Sequence, residues 1–270
     1  MPKKILFTDM DGTLLNSQKQ ISPQMHALVG RMIENGAGFV LSSGRTISSI
    51  LKSAQQNGLL FPDTLIIAAN GNMVYDCSQN KPLVEKRVPL DMAREIVQMA
   101  YHLGLHIQSY DDTRVICQKS CPEMDYYLKA TGMKPRYEED IIAAYEKGPV
   151  KLLSIDLCDQ TRLNQLRAQV LERFGDTLTA IYSCNEYLEI FDKTAGKGSA
   201  VAFVCDHLQI PISESVAAGD AENDISMLEA AGAAVAMANA SPAVKACADF
   251  ITQKDNDHDG LAEAIEYYFF

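Results

Sequence analysis

Two aspartates, Asp9 and Asp11, stand two residues apart behind the apolar run Lys3-Lys-Ile-Leu-Phe-Thr8, and Gly12-Thr13 follows them. The run reads as a buried strand entered from a polar end, so the acids sit where the strand runs out. Side chains at i and i+2 of a strand point the same way. At about 4 Å and an effective dielectric near 20, two bare carboxylates repel by roughly 4 kcal/mol. Such a pair is stable if solvent or a cation screens it, or if one acid turns away. The chemistry open to it is a metal-assisted nucleophile beside an acid/base partner. The plain alternative is a solvated strand end entering a turn.

The elements that must position this pair alternate. After the strand at 3–9, Ser22-Pro23 opens a helix as N-cap and first helical residue, and Asn35-Gly36 closes it. A strand over 39–41, a helix over 46–57 and a strand over 64–67 follow, then a turn at Asn70-Gly71 and a hairpin over 73–75 and 82–85. Strand–helix–strand units with short connections imply right-handed crossovers and a parallel sheet. The pattern then changes to helices paired with hairpins: a helix over 90–103, strands over 105–110 and 114–118 around Asp111-Asp112, and a helix from Pro122. A strand over 150–157, a helix over 160–174 and a hairpin over 178–183 and 187–191 complete it. The alternation returns with a helix over 197–208, a strand over 215–218, a helix over 223–230, a strand over 233–236, a helix over 243–248, a strand over 249–252 and a terminal helix over 261–268. The expected architecture is α/β: a Rossmann-like parallel-sheet core, 1–85 with 191–270, interrupted by an inserted α+β unit at 86–190.

A chain of 270 residues, 47% of them apolar, can bury a sizeable core. The net charge of −11 argues against sequence-independent binding of nucleic acid, which needs a basic surface. It leaves room for a phosphorylated substrate, because a bound divalent cation changes the local sign. No apolar run reaches membrane-spanning length. Thr8, Asp9 and Asp11 interrupt the N-terminal run too early for a signal peptide. The seven cysteines are scattered, and the closest pair, Cys117 and Cys121, has no histidine cluster to complete a zinc site. Reduced thiols and a cytoplasmic protein, monomer or homodimer, are the expectation. His102 and His106 are i, i+4 apart, but Gly104 breaks the helix between them, so no metal pair is expected.

Ligands of open parallel sheets bind beyond the carboxyl ends of strands. After the second strand comes Ser42-Ser43-Gly44-Arg45, whose hydroxyl and N–H groups suit an anion but also suit an ordinary helix entry. After Val216-Ala-Ala218 comes Gly219-Asp220-Ala-Glu-Asn223-Asp224, either a metal-binding turn or an Asx-turn with an N-cap. Lys197, between Gly196 and Gly198, opens the helix after the insert; taken alone it is a solvated lysine, and no P-loop surrounds it. Their joint occurrence at matching strand ends favours chemistry on one rim.

Together, Asp9-Met-Asp-Gly-Thr-Leu14, Ser43-Gly-Arg45, Lys197 and Gly219-Asp-x-x-Asn-Asp224 resemble the four motifs of the haloacid dehalogenase superfamily. The insert resembles the α/β cap of its Cof-type phosphatase branch, as do Ala236-Met-Ala-Asn-Ala240 and Asp255-Asn-Asp-His-Asp-Gly260. The resemblance implies a Mg²⁺-dependent phosphatase acting on a small phosphorylated metabolite, sugar phosphates leading. It also implies that phosphoproteins and nucleic acids are poor substrates under a closing cap. Asp9 would be the nucleophile, Asp11 the general acid and then base, and Lys197 the charge partner. Ser43, Gly44, Arg45, Asn70 and Asn223 would meet substrate. Asp9, Asp220 and the Asp11 carbonyl would hold Mg²⁺, supported by Asn223 and Asp224, one of them through water or Lys197. The segment Ile190–Lys197 departs from the pattern, with Asp192 where a proline is common. The rival readings are a phosphomutase of the same fold and a non-catalytic phosphometabolite sensor.

The spacing Asp255-x-Asp257-x-Asp259-Gly260 with Glu266 also fits an EF-hand loop. That motif needs a helix on each side, and here a strand precedes it. A loop bordering the active site is the expectation.

Overall fold

The computed structural model describes residues 3–111 and 113–270. Asp112, expected with Asp111 to turn the chain, lies outside the described residues. The chain divides into two compact units, Met1–Val84 with Gly196–Phe270, and Glu85–Ala195.

The first unit begins with β1 (Ile5–Asp9), α1 (Pro23–Glu34), β2 (Gly38–Ser42), α2 (Ile47–Gln56), β3 (Leu65–Ala68), β4 (Met73–Asp76) and β5 (Lys81–Glu85). The second holds α3 (Leu90–His102), β6 (His106–Tyr110), β7 (Arg114–Cys117), α4 (Pro122–Thr131), β8 (Lys134–Tyr137), β9 (Leu152–Ile155), α5 (Thr161–Phe174), β10 (Leu178–Cys184) and β11 (Tyr187–Asp192). The first unit resumes with α6 (Lys197–His207), β12 (Ser215–Gly219), α7 (Ile225–Ala230), β13 (Ala233–Ala236), α8 (Pro242–Ala246), β14 (Phe250–Ile251) and α9 (Leu261–Phe269).

The sheet of the first unit runs β14-β13-β12-β1-β2-β3-β4-β5. Every pairing from β14 to β3 is parallel, and β4 returns antiparallel to β3. The expected α/β class is what the chain adopts. All five residues of β1 are buried, which is why it reads as a continuous apolar run rather than an alternating one. In α1, Ser22 Oγ accepts the Met25 N–H, and Pro23 sits where its missing N–H is not needed. Met25, Leu28, Val29 and Met32 form the buried stripe of that helix. Each such side chain contributes roughly 1.5–3 kcal/mol by leaving water. Gly36, at φ +88°, ends it. Helix α1 packs on α9, and α6 on α7. With β12 on one side of β1 and β2 on the other, the strand order reverses at β1. The register pairs Asp9 with Ser42 and Gly219 with Ala236, which levels the strands' carboxyl ends. A crevice is expected there.

The second unit is a six-stranded sheet ordered β10-β11-β9-β6-β7-β8, antiparallel except for β7–β8. Ile96 and Val97 of α3 and Leu163, Leu166 and Val170 of α5 share a core with Ile107, Leu152 and Ile190. A smaller cluster of Val115, Cys117 and Met124 lies under α4.

Three local differences from the sequence reading have physical reasons. Strand β8, Lys-Pro-Arg-Tyr, is mostly exposed; an edge strand that buries no face carries no apolar period to read. The helix expected over 223–230 starts at Ile225, after a tight turn at Glu222–Asp224. The seam expected between 190 and 191 falls after Ala195, because β11 runs to Asp192 and the Lys193 N–H bonds Thr177 O. No helix among the described residues is long and apolar enough to cross a membrane.

Candidate active site

Asp9 ends β1 and is 6% exposed. Lys197 opens α6 and, at 1% exposure, is among the largest fully buried side chains. Its Nζ donates to Asp9 Oδ1 at 2.6 Å and to Asp224 Oδ1 at 2.5 Å. The Gly71 turn closes in on this helix start. A Cβ at Gly71 would lie 2.1 Å from Gly196 O, and its φ is +94°, so both space and backbone demand glycine.

Asp224 explains the turn after β12. Its second oxygen accepts the Asp220 and Ala221 N–H groups, each at 3.1 Å. The side chain thus folds back over Gly219–Ala221 and holds the loop that carries Asp220. Asp220 Oδ1 accepts the Thr13 hydroxyl at 2.8 Å. Gly12, at φ +83°, passes so close that a Cβ there would lie 2.4 Å from Asp220 Oδ2. Asp9, Asp220 and Asp224 each bring a carboxylate oxygen within 4.8 Å of the others.

Three carboxylates around one ammonium leave an excess of two negative charges. Burial, reinforced by that excess, sets the titration behaviour. Burial pushes Asp9 up to about 7; Lys197 opposes this, and Asp224 and Asp220 reinforce it. Burial likewise raises Asp220 to about 6, with Thr13 opposing and Asp224 adding. Burial works against the charge on Lys197, yet Asp9 and Asp224 outweigh it and hold the ammonium above its ordinary range. Oxygen ligands, close spacing and a two-charge excess fit a hard divalent cation.

Asp11 has turned away from this cluster, one of the solutions open to the pair. Its Oδ1 takes Arg45 Nη2 at 2.5 Å and Lys19 Nζ at 2.8 Å. Burial works to raise its pKa, but the hydrogen bonds and charges of Lys19 and Arg45 bring it below the ordinary value. Lys19 arrives through a loop folded back on the site. Asn16 Oδ1 accepts the Gln18 and Gln20 N–H groups, and Lys19 adopts φ +62°.

The segment that matched an EF-hand spacing buttresses that loop. Asp257 accepts the Ser17 N–H and hydroxyl at 2.7 and 2.6 Å, and Asp259 accepts the Ser22 hydroxyl at 2.7 Å. Asn256 donates to Leu15 O at 2.9 Å, and Asn239 to Gly12 O at 2.8 Å. These carboxylates face hydroxyl and amide donors.

Ser43 is 3% exposed at the end of β2. Its N–H is taken by Ile67 O, and its Oγ accepts the Arg45 N–H at 3.3 Å, so fewer donors are open here than the sequence suggested. Asn70, at φ +56°, accepts the Asn223 side-chain N–H at 3.1 Å. A Cβ on Gly44 would lie 2.9 Å from Asn70 Oδ1. Asn70, Gly44 and Asn223 are thus neighbours on one rim.

The sequence reading missed Thr13 and Lys19, and it gave Asn239 and Asn256 no individual role within the segments it singled out. Thr13 was visible as the hydroxyl beside the turn that bears the acids. Nothing local marked Lys19, whose role depends on a loop reversal fixed by distant residues.

A model of the haloacid dehalogenase-like hydrolases matches residues 6–265 of this chain. A haloacid dehalogenase-like hydrolase from Bacteroides thetaiotaomicron is similar in structure, with a TM-score of 0.88 and 28% identity over 98% of this chain and 99% of that one. A Thermotoga maritima protein superposes with a TM-score of 0.85 and 30% identity, over 99% and 97% of the two chains. A Bacillus subtilis relative, 28% identical over 98% of this chain and 95% of its own, is named a 5-amino-6-(5-phospho-D-ribitylamino)uracil phosphatase. The match runs nearly end to end in both sequence and fold, and this chain belongs to the haloacid dehalogenase-like hydrolases as a phosphatase of the Cof type.

Proposed function

We propose that this phosphatase is Mg²⁺-dependent and hydrolyses a small phosphorylated metabolite, with sugar phosphates the leading class. The observation that carries the reading is the Asp9 carboxylate, buried at a strand end, bonded to Lys197 and within 4.8 Å of Asp220 and Asp224. The phosphorylated ribityl chain in the Bacillus subtilis relative's name supports the substrate class.

Asp9 attacks phosphorus and the alcohol leaves, forming an aspartyl-phosphate. Asp11 gives a proton to the leaving oxygen. As a carboxylate it then takes a proton from the water that attacks the phosphoryl group, and Asp9 is released. Lys19 and Arg45 favour the carboxylate, so Asp11 takes up a proton from solvent before the first half-reaction and is a ready base in the second. Lys197 keeps Asp9 ionised and offsets charge on the transferring group. Ser43, Gly44, Arg45, Asn70 and Asn223 orient the substrate.

Mg²⁺ would be held by Asp9, Asp220 and the Asp11 main-chain carbonyl. Both oxygens of Asp224 are engaged by Lys197 and by N–H groups, so Asp224 serves this set by orienting Asp220 and Lys197. When bound, Mg²⁺ supplies neutralising charge for a phosphoryl transfer, which depends more on positioning than on covalent variety. The inserted unit, 85–195, selects the substrate in this reading.

A screen of sugar phosphates, nucleotides and cofactor phosphates for free phosphate, with and without Mg²⁺, tests the proposal. Release that needs Mg²⁺ and vanishes in Asp9→Asn is the expected result. Full activity in either control would sink the mechanism, and an isomerised sugar phosphate without free phosphate would identify a mutase.

A further inference from the structure

A second group of reactive side chains lies in the Glu85–Ala195 unit, apart from the phosphatase residues. Cys121 precedes α4, and its Sγ is 3.2 Å from His106 Nδ1. His106 Nε2 is 2.8 Å from Gln108 Oε1, and Gln108 Nε2 donates to the Tyr110 oxygen at 2.8 Å. His106, Gln108 and Tyr110 alternate along β6 and share one face of it.

This chain of bonds fixes the protons. The Gln108 amide donates to the Tyr110 hydroxyl oxygen, so that oxygen is the acceptor of the pair. The Gln108 amide, fully buried, must then turn its N–H₂ to Tyr110 and its oxygen to His106. An oxygen at that place requires the proton on His106 Nε2 and leaves a lone pair on Nδ1, facing the Cys121 sulfur. Burial lowers the imidazole pKa, although Gln108 and Glu123 oppose this. Burial and the Glu123 carboxylate raise the thiol pKa against the main-chain N–H groups of Met124 and Glu123. The resting pair is therefore a neutral thiol on a neutral base, reactive only as the proton crosses.

The pair lines a pocket of about 400 Å³, whose wall includes Tyr101, Leu105, Lys119 and Glu123. Lys119 and Glu123 bring opposite charges to it.

We propose that Cys121 is a modification site for a small zwitterionic disulfide, with His106 as its base and Gln108 as the residue that sets the tautomer. The Cys121 sulfur attacks one sulfur of the disulfide as its proton passes to Nδ1. The new S–S bond forms, the old one breaks, and the leaving thiolate takes the proton back from the imidazolium. One thiol and one disulfide enter, and one of each leaves, so no other oxidant is needed. The arrangement stands independently of the phosphatase mechanism.

The test treats the whole folded protein with cystine, quenches with acid, and follows each cysteine by peptide mass. Cys121 should carry the adduct before Cys158 and Cys184, although those two are exposed and Cys121 is not. His106→Gln should slow Cys121 at least about tenfold while leaving Cys158 unchanged. Glu123→Gln should speed Cys121 roughly threefold towards the uncharged bis(2-hydroxyethyl) disulfide, by freeing more thiolate, and remove its preference for cystine over that reagent. Cys121 staying unmodified while Cys158 and Cys184 react would overturn the proposal, as would both substitutions leaving its rate unchanged. If His106→Gln opens the buried Cys117 and Cys205 to reagent, the variant has lost its fold and Glu123→Gln alone decides.

Discussion

Lys197→Met is the sharpest perturbation of the first unit, because it removes a charge and keeps the stem. The ammonium lies 2.6 Å from Asp9 and 2.5 Å from Asp224, with its side chain wholly buried. At an effective dielectric near 20, each contact carries roughly 6 kcal/mol of Coulomb energy before desolvation is subtracted. Removing one partner of a buried pair leaves a net loss of about 3–5 kcal/mol. For a chain of this size that lowers the unfolding midpoint by roughly 10 °C. The assay is thermal unfolding with chelator present, so that no cation substitutes for the lysine. The sign of the pH dependence follows from Asp9. Its folded pKa, about 7, lies above its unfolded value of about 3.9, so the folded protein binds the extra proton between the two. Stability of the metal-free protein therefore falls as pH rises from about 4 to about 7. Without Lys197 the Asp9 pKa rises further and the window extends upward, so the deficit of the variant should narrow on acidification. A midpoint within about 1 °C of the parent at pH 7.5 would refute the reasoning. So would a deficit that is the same at pH 5.

Gly12→Ala places a Cβ 2.4 Å from Asp220 Oδ2 at φ +83°. It should cost about 1–2 kcal/mol of stability from the left-handed backbone alone and weaken Mg²⁺ binding in a calorimetric titration. Lys19→Met and Arg45→Met each remove a cation from Asp11, whose pKa those cations lower. Both should move the alkaline limb of the kcat/KM profile, where Asp11 loses the proton it gives to the leaving oxygen, to higher pH, and the stability that ionised Asp11 adds should be lost at a higher pH during acidification. Asp257→Ala frees Ser17; faster amide exchange over residues 17–19 and a lower kcat at nearly unchanged Tm are expected.

Much of the fold was legible because parallel strands buried on both faces advertise themselves as apolar runs, and because Ser22-Pro23 and Gly36 mark helix ends by local chemistry. The site was legible for a related reason. Asp9, Ser43, Asp220 and Lys197 each stand where a strand ends or a helix begins, and a parallel sheet brings such positions to one rim. What escaped depends on contacts between distant segments. Lys19 reaches Asp11 only because Asn16 curls its loop and Asp257, Asn256 and Asn239 brace the segment that bears it. The acids of 255–259 were expected to border the site, but spacing alone does not reveal that Ser17 and Ser22 would meet two of them. Asp224 sits at the start of a helical pattern, yet its side chain folds back onto two N–H groups and delays the helix. The proton order of Cys121, His106, Gln108 and Tyr110 needs β6 and the start of α4 brought together, and His106 and Cys121 are fifteen positions apart in the chain.

The claim at the centre of the account is that Asp9 becomes phosphorylated. Enzyme mixed with Mg²⁺ and a turned-over substrate, quenched during the reaction and reduced with borohydride, converts an aspartyl-phosphate to homoserine. Peptide sequencing by mass should find homoserine at position 9, only when substrate is present, and never in Lys197→Met at comparable yield. Homoserine at another aspartate, or none at position 9 while phosphate is being released, would contradict the account.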